Sequence, residues 1–316
     1  MHDNIPPTLL NNYKHRLGAE SFHTRIAFEN GSLPFPPRAF RRQNLFGPLT
    51  RVTIATCRLL LRLSGLSGIG RAQCHAPVIV ENTISLPHLP TSFEGFRILH
   101  LSDLHIDLAP SFIDSLIPLL QPLQYDLCIM TGDYRNHTYG SCTPSIIGMQ
   151  NLITHLHQPL LAILGNHDRL CMVEPLEAAG CRVLLNEHFN LTKGADTITF
   201  IGVDDPCVVG THDITHALKH CTNSPIKLLL SHSPAIYPDA NDHAIDYIFC
   251  GHTHGGQICL PGGYIPVPND PSPRSLHRGP WEKNNLHGYT SPGTGSCGIA
   301  ARFNCPPEIT IHTLTR

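Results

Sequence analysis

Tyr247-Ile248-Phe249-Cys250-Gly251-His252-Thr253-His254-Gly255-Gly256-Gln257 is an apolar run that stops at two histidines one residue apart. Four apolar residues bounded by glycine fit a buried strand better than a helix. Gly251, Gly255 and Gly256 allow the bend and close backbone approach of a crowded site. The stretch therefore reads as a strand delivering two imidazoles to one place. A single histidine is usually a packed or surface residue, whereas His-x-His after a strand is a common way to hold a transition metal.

The same pattern occurs four more times. Phe96-Arg97-Ile98-Leu99-His100-Leu101 runs into Ser102-Asp103-Leu104-His105, and Leu127-Cys128-Ile129-Met130 into Thr131-Gly132-Asp133. Leu160-Leu161-Ala162-Ile163-Leu164 runs into Gly165-Asn166-His167-Asp168, and Leu228-Leu229-Leu230 into Ser231-His232-Ser233-Pro234. Five apolar strands each ending in a residue of metal-binding type is not an arrangement that unrelated loops produce. Helix-like segments fall between them at roughly 111–124, 144–157, 172–180 and 213–221, and Val78-Ile79-Val80 with Ile84 reads as an opening strand pair. This is the order of a layered α/β fold with ligands beyond the carboxyl ends of its strands.

A chain of 316 residues accommodates one large α/β catalytic domain, here 76–316, plus an extension, here 1–75. Its 22 histidines, with only 15% charged residues, exceed what one site needs, so most are incidental. The 12 cysteines never form Cys-x-x-Cys, and Cys128 and Cys250 fall inside strand-like runs. That favours reduced, packed thiols and a cytosolic setting over a disulfide framework. The net charge of −2 hides an asymmetry: residues 1–75 carry ten Lys/Arg against three Asp/Glu, leaving twelve basic and twenty-one acidic residues beyond. A basic front suits an anionic surface, lipid or nucleic acid, and an acidic remainder suits a cation-binding enzyme.

Within that front, residues 1–50 contain Pro6-Pro7 and Pro34-Phe35-Pro36-Pro37 and little periodicity, which predicts mostly irregular chain. From 51 to 70 the character changes. Arg51, Arg58 and Arg62 share one helical face, with Val52, Leu59, Leu60, Leu63 and Leu66 spread over the other. Two internal arginines argue against a membrane span and for a helix lying on anionic lipid; packing on the domain is the alternative. Arg41-Arg42 ahead of it resembles a twin-arginine export signal. Because the metal-type residues all come later, the first seventy residues are expected to be dispensable for turnover of a small soluble substrate.

Taken together, Asp103-Leu104-His105, Gly132-Asp133, Gly165-Asn166-His167-Asp168, His232 and Gly251-His252-Thr253-His254 resemble, in full and in order, the signature of the calcineurin-like metallophosphoesterases, over about residues 96–314. Leu260-Pro261, Gly255-Gly256-Gln257 and Arg302-Phe303-Asn304-Cys305-Pro306-Pro307-Glu308-Ile309 are most similar to its bacterial YkuE/YaeI-type phosphodiesterase branch, which takes in the UDP-2,3-diacylglucosamine pyrophosphatase LpxG of lipid A synthesis. The resemblance implies a four-layer αββα sandwich with two mixed sheets, and a two-metal site at the strand ends. Carried over position by position, one metal is expected on Asp103, His105, Asp133 and His254, and the other on Asp133, Asn166, His232 and His252, with Asp133 bridging. Four imidazoles, two carboxylates and an amide suit manganese, or iron or zinc, better than the all-oxygen sites of magnesium and calcium. His167 matches the family's catalytic histidine, placed to protonate a leaving oxygen, with Asp168 expected to orient its ring. Arg135 and Arg302 are candidate substrate residues, because the guanidinium fork matches phosphate oxygens.

The expected activity is metal-dependent hydrolysis of a phosphodiester or pyrophosphate bond. Its first-choice substrate is UDP-2,3-diacylglucosamine, cleaved to 2,3-diacylglucosamine 1-phosphate and UMP at the cytoplasmic membrane face. The partners are then a lipid-linked nucleotide and an anionic membrane surface met through residues 51–70, with nucleic acid not the first choice and no obligate protein partner implied. Two other classes compete: a soluble or exported phosphodiesterase of nucleotides, nucleic acid or cell-wall polymers, and a non-catalytic scaffold. A scaffold predicts lost ligands, and this chain has lost none.

Overall fold

A computed structural model describes residues 5–32, 47–221 and 224–316. The run Pro34-Phe35-Pro36-Pro37, the pair Arg41-Arg42 and the side chain of Arg51 lie outside the described residues. Two six-stranded sheets face each other. The first contains β1 (Val78–Ser85), β2 (Arg97–Leu101), β3 (Leu127–Met130), β4 (Leu160–Ala162), β5 (Arg182–Val183) and β12 (Glu308–Thr315), ordered β1-β12-β2-β3-β4-β5. The second contains β6 (Glu187–Lys193), β7 (Asp196–Gly202), β8 (Lys227–Leu230), β9 (Tyr247–Cys250), β10 (Gly279–Lys283) and β11 (Leu286–Thr290), ordered β10-β11-β9-β8-β7-β6. Both are mixed: β2, β3, β4 and β5 run parallel, as do β7, β8, β9 and β11, while β12 is antiparallel to β2 and β6 and β10 are antiparallel to their hairpin partners. The opening strand is one element, β1, paired in parallel with β12, and not a strand pair.

Why the layers number four follows from the two-residue period of a strand. In β3, Leu127 and Ile129 point between the sheets while Cys128 and Met130 point to the outer helical layer. In β9, Tyr247 and Phe249 join that same inter-sheet core, and Ile248 and Cys250 face the opposite helical layer. Every side chain of these strands is buried, so they read in sequence as unbroken apolar runs. Cys128 and Cys250 are small buried hydrophobes here.

The front of the chain is far from irregular before residue 30. Pro7 opens α1 (Pro7–Leu17), where its fixed φ and missing N–H are tolerated, and Gly18, at φ 85°, separates it from α2 (Ala19–Glu29). Tyr13, Leu17 and Phe22 are buried in the same core as the outer face of the first sheet. Residues 7–29 therefore pack onto the core of the first sheet although they precede the expected boundary at 75/76. A helix does occupy the amphipathic stretch: α3 (Gly47–Leu63), followed by α4 (Ser67–Cys74). Among the described residues no helix is long and apolar enough to cross a membrane.

Candidate metal centre

The carboxyl ends of β2, β3, β4, β8 and β9 converge, and the loops after them can touch only because glycine stands at the contacts. A Cβ on Gly251 would collide with Ser102 Oγ and Asp103 Oδ2, and one on Gly165 with Asp133. Asp103, His105, Asp133, His252 and His254 all adopt left-handed backbone, with φ between 43° and 66°. Non-glycine residues there cost roughly 1–3 kcal/mol each and persist only where the surroundings fix them.

The result is a compact donor cluster. His254 Nε2 lies 3.1 Å from His105 Nε2 and 3.2 Å from Asp103 Oδ1. His232 Nε2 lies 3.2 Å from both Asp133 Oδ2 and Asn166 Oδ1. Donor atoms of Asp103, His105 and Asp133 all fall within 4.8 Å of one another, as do those of Asp133, His232 and His252. Asp133 belongs to both groups, as expected of a bridge.

Tautomers test whether cations fit. His105 Nδ1–H donates to Arg135 O at 2.8 Å and His232 Nδ1–H to Thr131 O at 2.7 Å, so each ring turns its Nε2 to the centre. Those Nε2 atoms face His254 Nε2, Asn166 Oδ1 and Asp133 Oδ2, and among the described residues His252 Nε2 is buried with no hydrogen-bond partner. Burial disfavours charge on these rings, yet where no ion is bound the neighbouring carboxylates and the Cys297 thiol draw protons onto them, lifting His105 to about 9 and His232 well above its ordinary value. Divalent ions would take the place of those protons, so the donor set fits two of them. Asp133 is charged in that setting: burial opposes its ionisation, but the His232 and His167 rings hold its carboxyl well below the usual range.

His167 sits at the rim with 20% of its side chain exposed, its Nε2 3.9 Å from Asp133 Oδ2. Burial works against its charge, yet the neighbouring Asp133 carboxylate, with the Cys297 thiol, lifts the imidazole to about 10. Its Nδ1–H donates to Asn136 O at 2.7 Å. The Asn136 carbonyl therefore orients the ring, and Asp168 does not. Asp168 instead accepts from the backbone N–H groups of Asp133 at 2.7 Å, Tyr134 at 2.9 Å and Gly165 at 2.8 Å, clamping two ligand loops together.

The two arginines are also placed differently from expectation. Both are fully buried. Arg135 donates to the carbonyls of Tyr139 and Gly140 and to Cys142 Sγ. Arg302 donates to the carbonyls of Pro292, Gly295 and Cys305 behind the centre. Arg302 has its donors engaged mainly by backbone carbonyls, and Arg135 has both terminal nitrogens engaged by carbonyls and Cys142 Sγ with its Nε buried and unpartnered among the described residues, so both brace loops and neither is placed to clamp a phosphate.

A calcineurin-like phosphoesterase family model matches residues 96–256, half of the chain. The chain belongs to this family. It is 31% identical over 257 residues to the uncharacterized metallophosphoesterase YkoQ of Bacillus subtilis, covering 77% of this chain and 93% of the relative. It is 28% identical to YkuE of the same organism, covering 80% of this chain and 91% of the relative. Against the phosphodiesterase YaeI of Escherichia coli the figures are 29%, 69% and 82%. The chain is thus a metallophosphoesterase, an enzyme of phosphoester hydrolysis that works with divalent metals.

Sequence reasoning missed the loop after β11. Cys297 brings its Sγ within 4.8 Å of the donor nitrogens of His105 and His254. Burial would raise its pKa, but the His105 and His167 rings hold the thiol well below its ordinary range. Gln257 was visible at the end of the His-x-His stretch. Its amide accepts from Cys297 N–H at 2.8 Å and donates to the carbonyls of Cys297 and Ile299 at 3.0 and 2.9 Å.

Proposed function

We propose that this enzyme hydrolyses the pyrophosphate of a lipid-linked nucleotide, UDP-2,3-diacylglucosamine, giving 2,3-diacylglucosamine 1-phosphate and UMP, while lying on the cytoplasmic face of an anionic membrane. The observation that carries this reading is where α3 sits. Val52, Leu59, Leu60, Leu63, Leu66 and Ile69 are exposed large apolar residues on or just beyond α3. The same front-end segment is fastened to the rim of the metal centre. Arg58 donates to Gly298 O, Gly70 O accepts from Arg302 N–H at 3.1 Å, and Ser296 Oγ donates to Cys74 Sγ at 3.2 Å. A substrate whose acyl chains stay in a bilayer needs an apolar helix next to the catalytic atoms, and a soluble nucleotide does not.

In this reading Asp103, His105, Asp133 and His254 hold one ion, and Asp133, Asn166, His232 and His252 the other; manganese is the first choice from these donors alone, with iron or zinc next. When bound, such a pair lowers the pKa of a water and draws charge from phosphoryl oxygens. The protein's own part is to aim and to transfer a proton. Asp168 holds the Asp133 and Asn166 loops in register through three backbone N–H groups. His167, pinned through Nδ1, presents Nε2–H toward the position of a departing oxygen.

The test is turnover of the metal-reconstituted full chain on detergent-dispersed UDP-2,3-diacylglucosamine, a cyclic nucleotide and a nitrophenyl diester, with products weighed by mass spectrometry. UMP and the acylated sugar phosphate should appear with kcat/KM well above that for either soluble compound. Equal or faster cleavage of the cyclic nucleotide would sink the lipid assignment and favour a nucleotide phosphodiesterase.

A further inference from the structure

Asp103, His105, Asp133 and His254 form an ordinary nitrogen and oxygen set, but a sulfur stands beside them. Cys297 Sγ and the donor nitrogens of His105 and His254 all lie within 4.8 Å of one another. Metal–nitrogen and metal–sulfur bonds of about 2.1 and 2.3 Å allow ligands of one ion to stand up to about 4.4 Å apart, so three donors within 4.8 Å are close enough to share an ion.

The backbone that carries the thiol is fastened to three of the metal-bearing loops. Thr294 N–H and Gly295 N–H donate to Ser102 O and Asp103 O at 2.7 and 3.0 Å, joining it to the loop after β2. Gly298 N–H donates to Asn136 Oδ1 at 2.8 Å, joining it to the loop after β3. Gln257, three residues past His254, binds both the N–H and the carbonyl of Cys297. No side chain larger than hydrogen fits at Gly295, where a Cβ would strike the carbonyl oxygens of Leu104 and Asp103. The loop lies flat on the Asp103–His105 segment, and its thiol is a built feature of the site.

We propose that Cys297 is a fifth protein ligand of the ion held by Asp103, His105, Asp133 and His254, giving that position a thiolate. The inference rests on the two-metal reading above. Thiolate is a soft ligand that favours zinc or iron over manganese and magnesium, so the two positions should differ in metal preference, the sulfur-bearing one selecting zinc or iron. The bond involves no change of oxidation state.

X-ray absorption at the zinc edge of the full chain loaded with two zinc ions tests this directly. One sulfur scatterer per two zincs, at about 2.3 Å, is expected. It should vanish in Cys297→Ser and Cys297→Ala, and persist in Cys207→Ser, whose thiol lies near His252 and Asp270 on the other side. The zinc-to-manganese affinity ratio should fall in Cys297→Ser by at least the roughly 10–100-fold that loss of an outer partner costs a metal site. Two tightly bound zincs with only nitrogen and oxygen neighbours would overturn the thiolate and leave the two-metal reading intact. A sulfur signal that survives Cys297→Ser, or disappears in Cys207→Ser, overturns it too. A chain that loads no metal pair overturns both readings.

Discussion

Two stretches of the same basic front end have opposite fates. In α1 and α2 the arginines turn inward. Arg16 bonds Glu177 and Glu187 at 2.8 and 2.9 Å and the Val183 carbonyl at 2.5 Å. Arg25, fully buried, bonds Asp204 at 2.8 Å, Glu29 at 3.0 Å and the Asp168 carbonyl at 2.6 Å. In α3 the apolar residues face water instead: Leu59, Leu60 and Leu63 are 55%, 58% and 76% exposed. The difference lies in what each helix meets. Part of the acidic excess of the later chain, Glu177, Glu187 and Asp204, waits for the first pair of helices, so some of the front's positive charge is neutralised internally. Among the described residues, the arginine of the third helix that makes a hydrogen bond, Arg58, meets a loop carbonyl and no carboxylate. Charge counting along a sequence sums these two situations and hides both.

The sharpest way to break this comparison is to delete residues 1–32. Tyr13, Leu17 and Phe22 are core residues, each worth roughly 2–5 kcal/mol by the cost of truncation in other cores, against a total stability of about 5–15 kcal/mol for a whole domain. The truncated chain should lose its cooperative unfolding transition and its hydrolysis of even a small nitrophenyl diester. This reverses the expectation that the front is dispensable for soluble substrates. Wild-type melting and turnover in the truncated chain would show that α1 and α2 merely rest on the surface.

Next in size is Arg25→Met. It leaves Asp204 and Glu29 buried without their partner, a change that costs roughly 3–5 kcal/mol in comparable pairs. The urea midpoint should drop accordingly. Turnover should fall as well, since the guanidinium holds the carbonyls of Gly165 and Asp168 on either side of Asn166. Adding Asp204→Leu should recover part of the stability; a double variant no better than the single would mean that the loss came from packing and not from an unpaired carboxylate.

How far the sequence led depends on whether a signal was local. The five strand-end blocks were legible because apolar run, glycine and ligand are neighbours in the chain, and the structure brings all seven expected ligands together. Which way Asp168 points was not legible, because adjacency to His167 does not fix the direction of a carboxylate whose acceptors are met by three backbone N–H groups. Nor was Cys297, forty residues beyond Gln257 and joined to it only through tertiary hydrogen bonds. The hairpins were missed for a different reason. β6 is half exposed and polar, and so lacks an apolar run, although the Asn284-Asn285 pair between β10 and β11, both at positive φ, carries a hairpin signal. Leu10, Tyr13 and Leu17 also had helical spacing, obscured by reading Pro6-Pro7 as a breaker when Pro7 is a helix start.

On the exposed side of the comparison, replacing Leu59, Leu60 and Leu63 together by serine should change folding stability by only about 0.5 kcal/mol per site, because little burial is lost. Co-sedimentation with vesicles of anionic lipid should fall steeply, and hydrolysis of a membrane-embedded substrate with it, while nitrophenyl diester turnover stays at the wild-type rate. A variant that is strongly destabilised yet still binds vesicles would place α3 on the protein side of the comparison.

The smallest expected effect isolates charge. Arg58 is a poor probe, because its bond to Gly298 O ties α3 to the loop that carries Cys297, and changing it disturbs the metal centre as well. Arg62, exposed in the last turn of α3, is the cleaner one. A basic residue close to an anionic leaflet contributes on the order of 1 kcal/mol, so Arg62→Gln should weaken binding to anionic vesicles by roughly fivefold at low ionic strength. The effect should shrink as salt rises, since the screening length falls from about 10 Å at 0.1 M to about 3 Å at 1 M. Binding to neutral vesicles, carried by the leucines, should not move. If wild type and Arg62→Gln bind anionic vesicles equally and neither responds to salt, the positive charge of α3 has no part in docking, and burial of its apolar face alone must account for any membrane affinity.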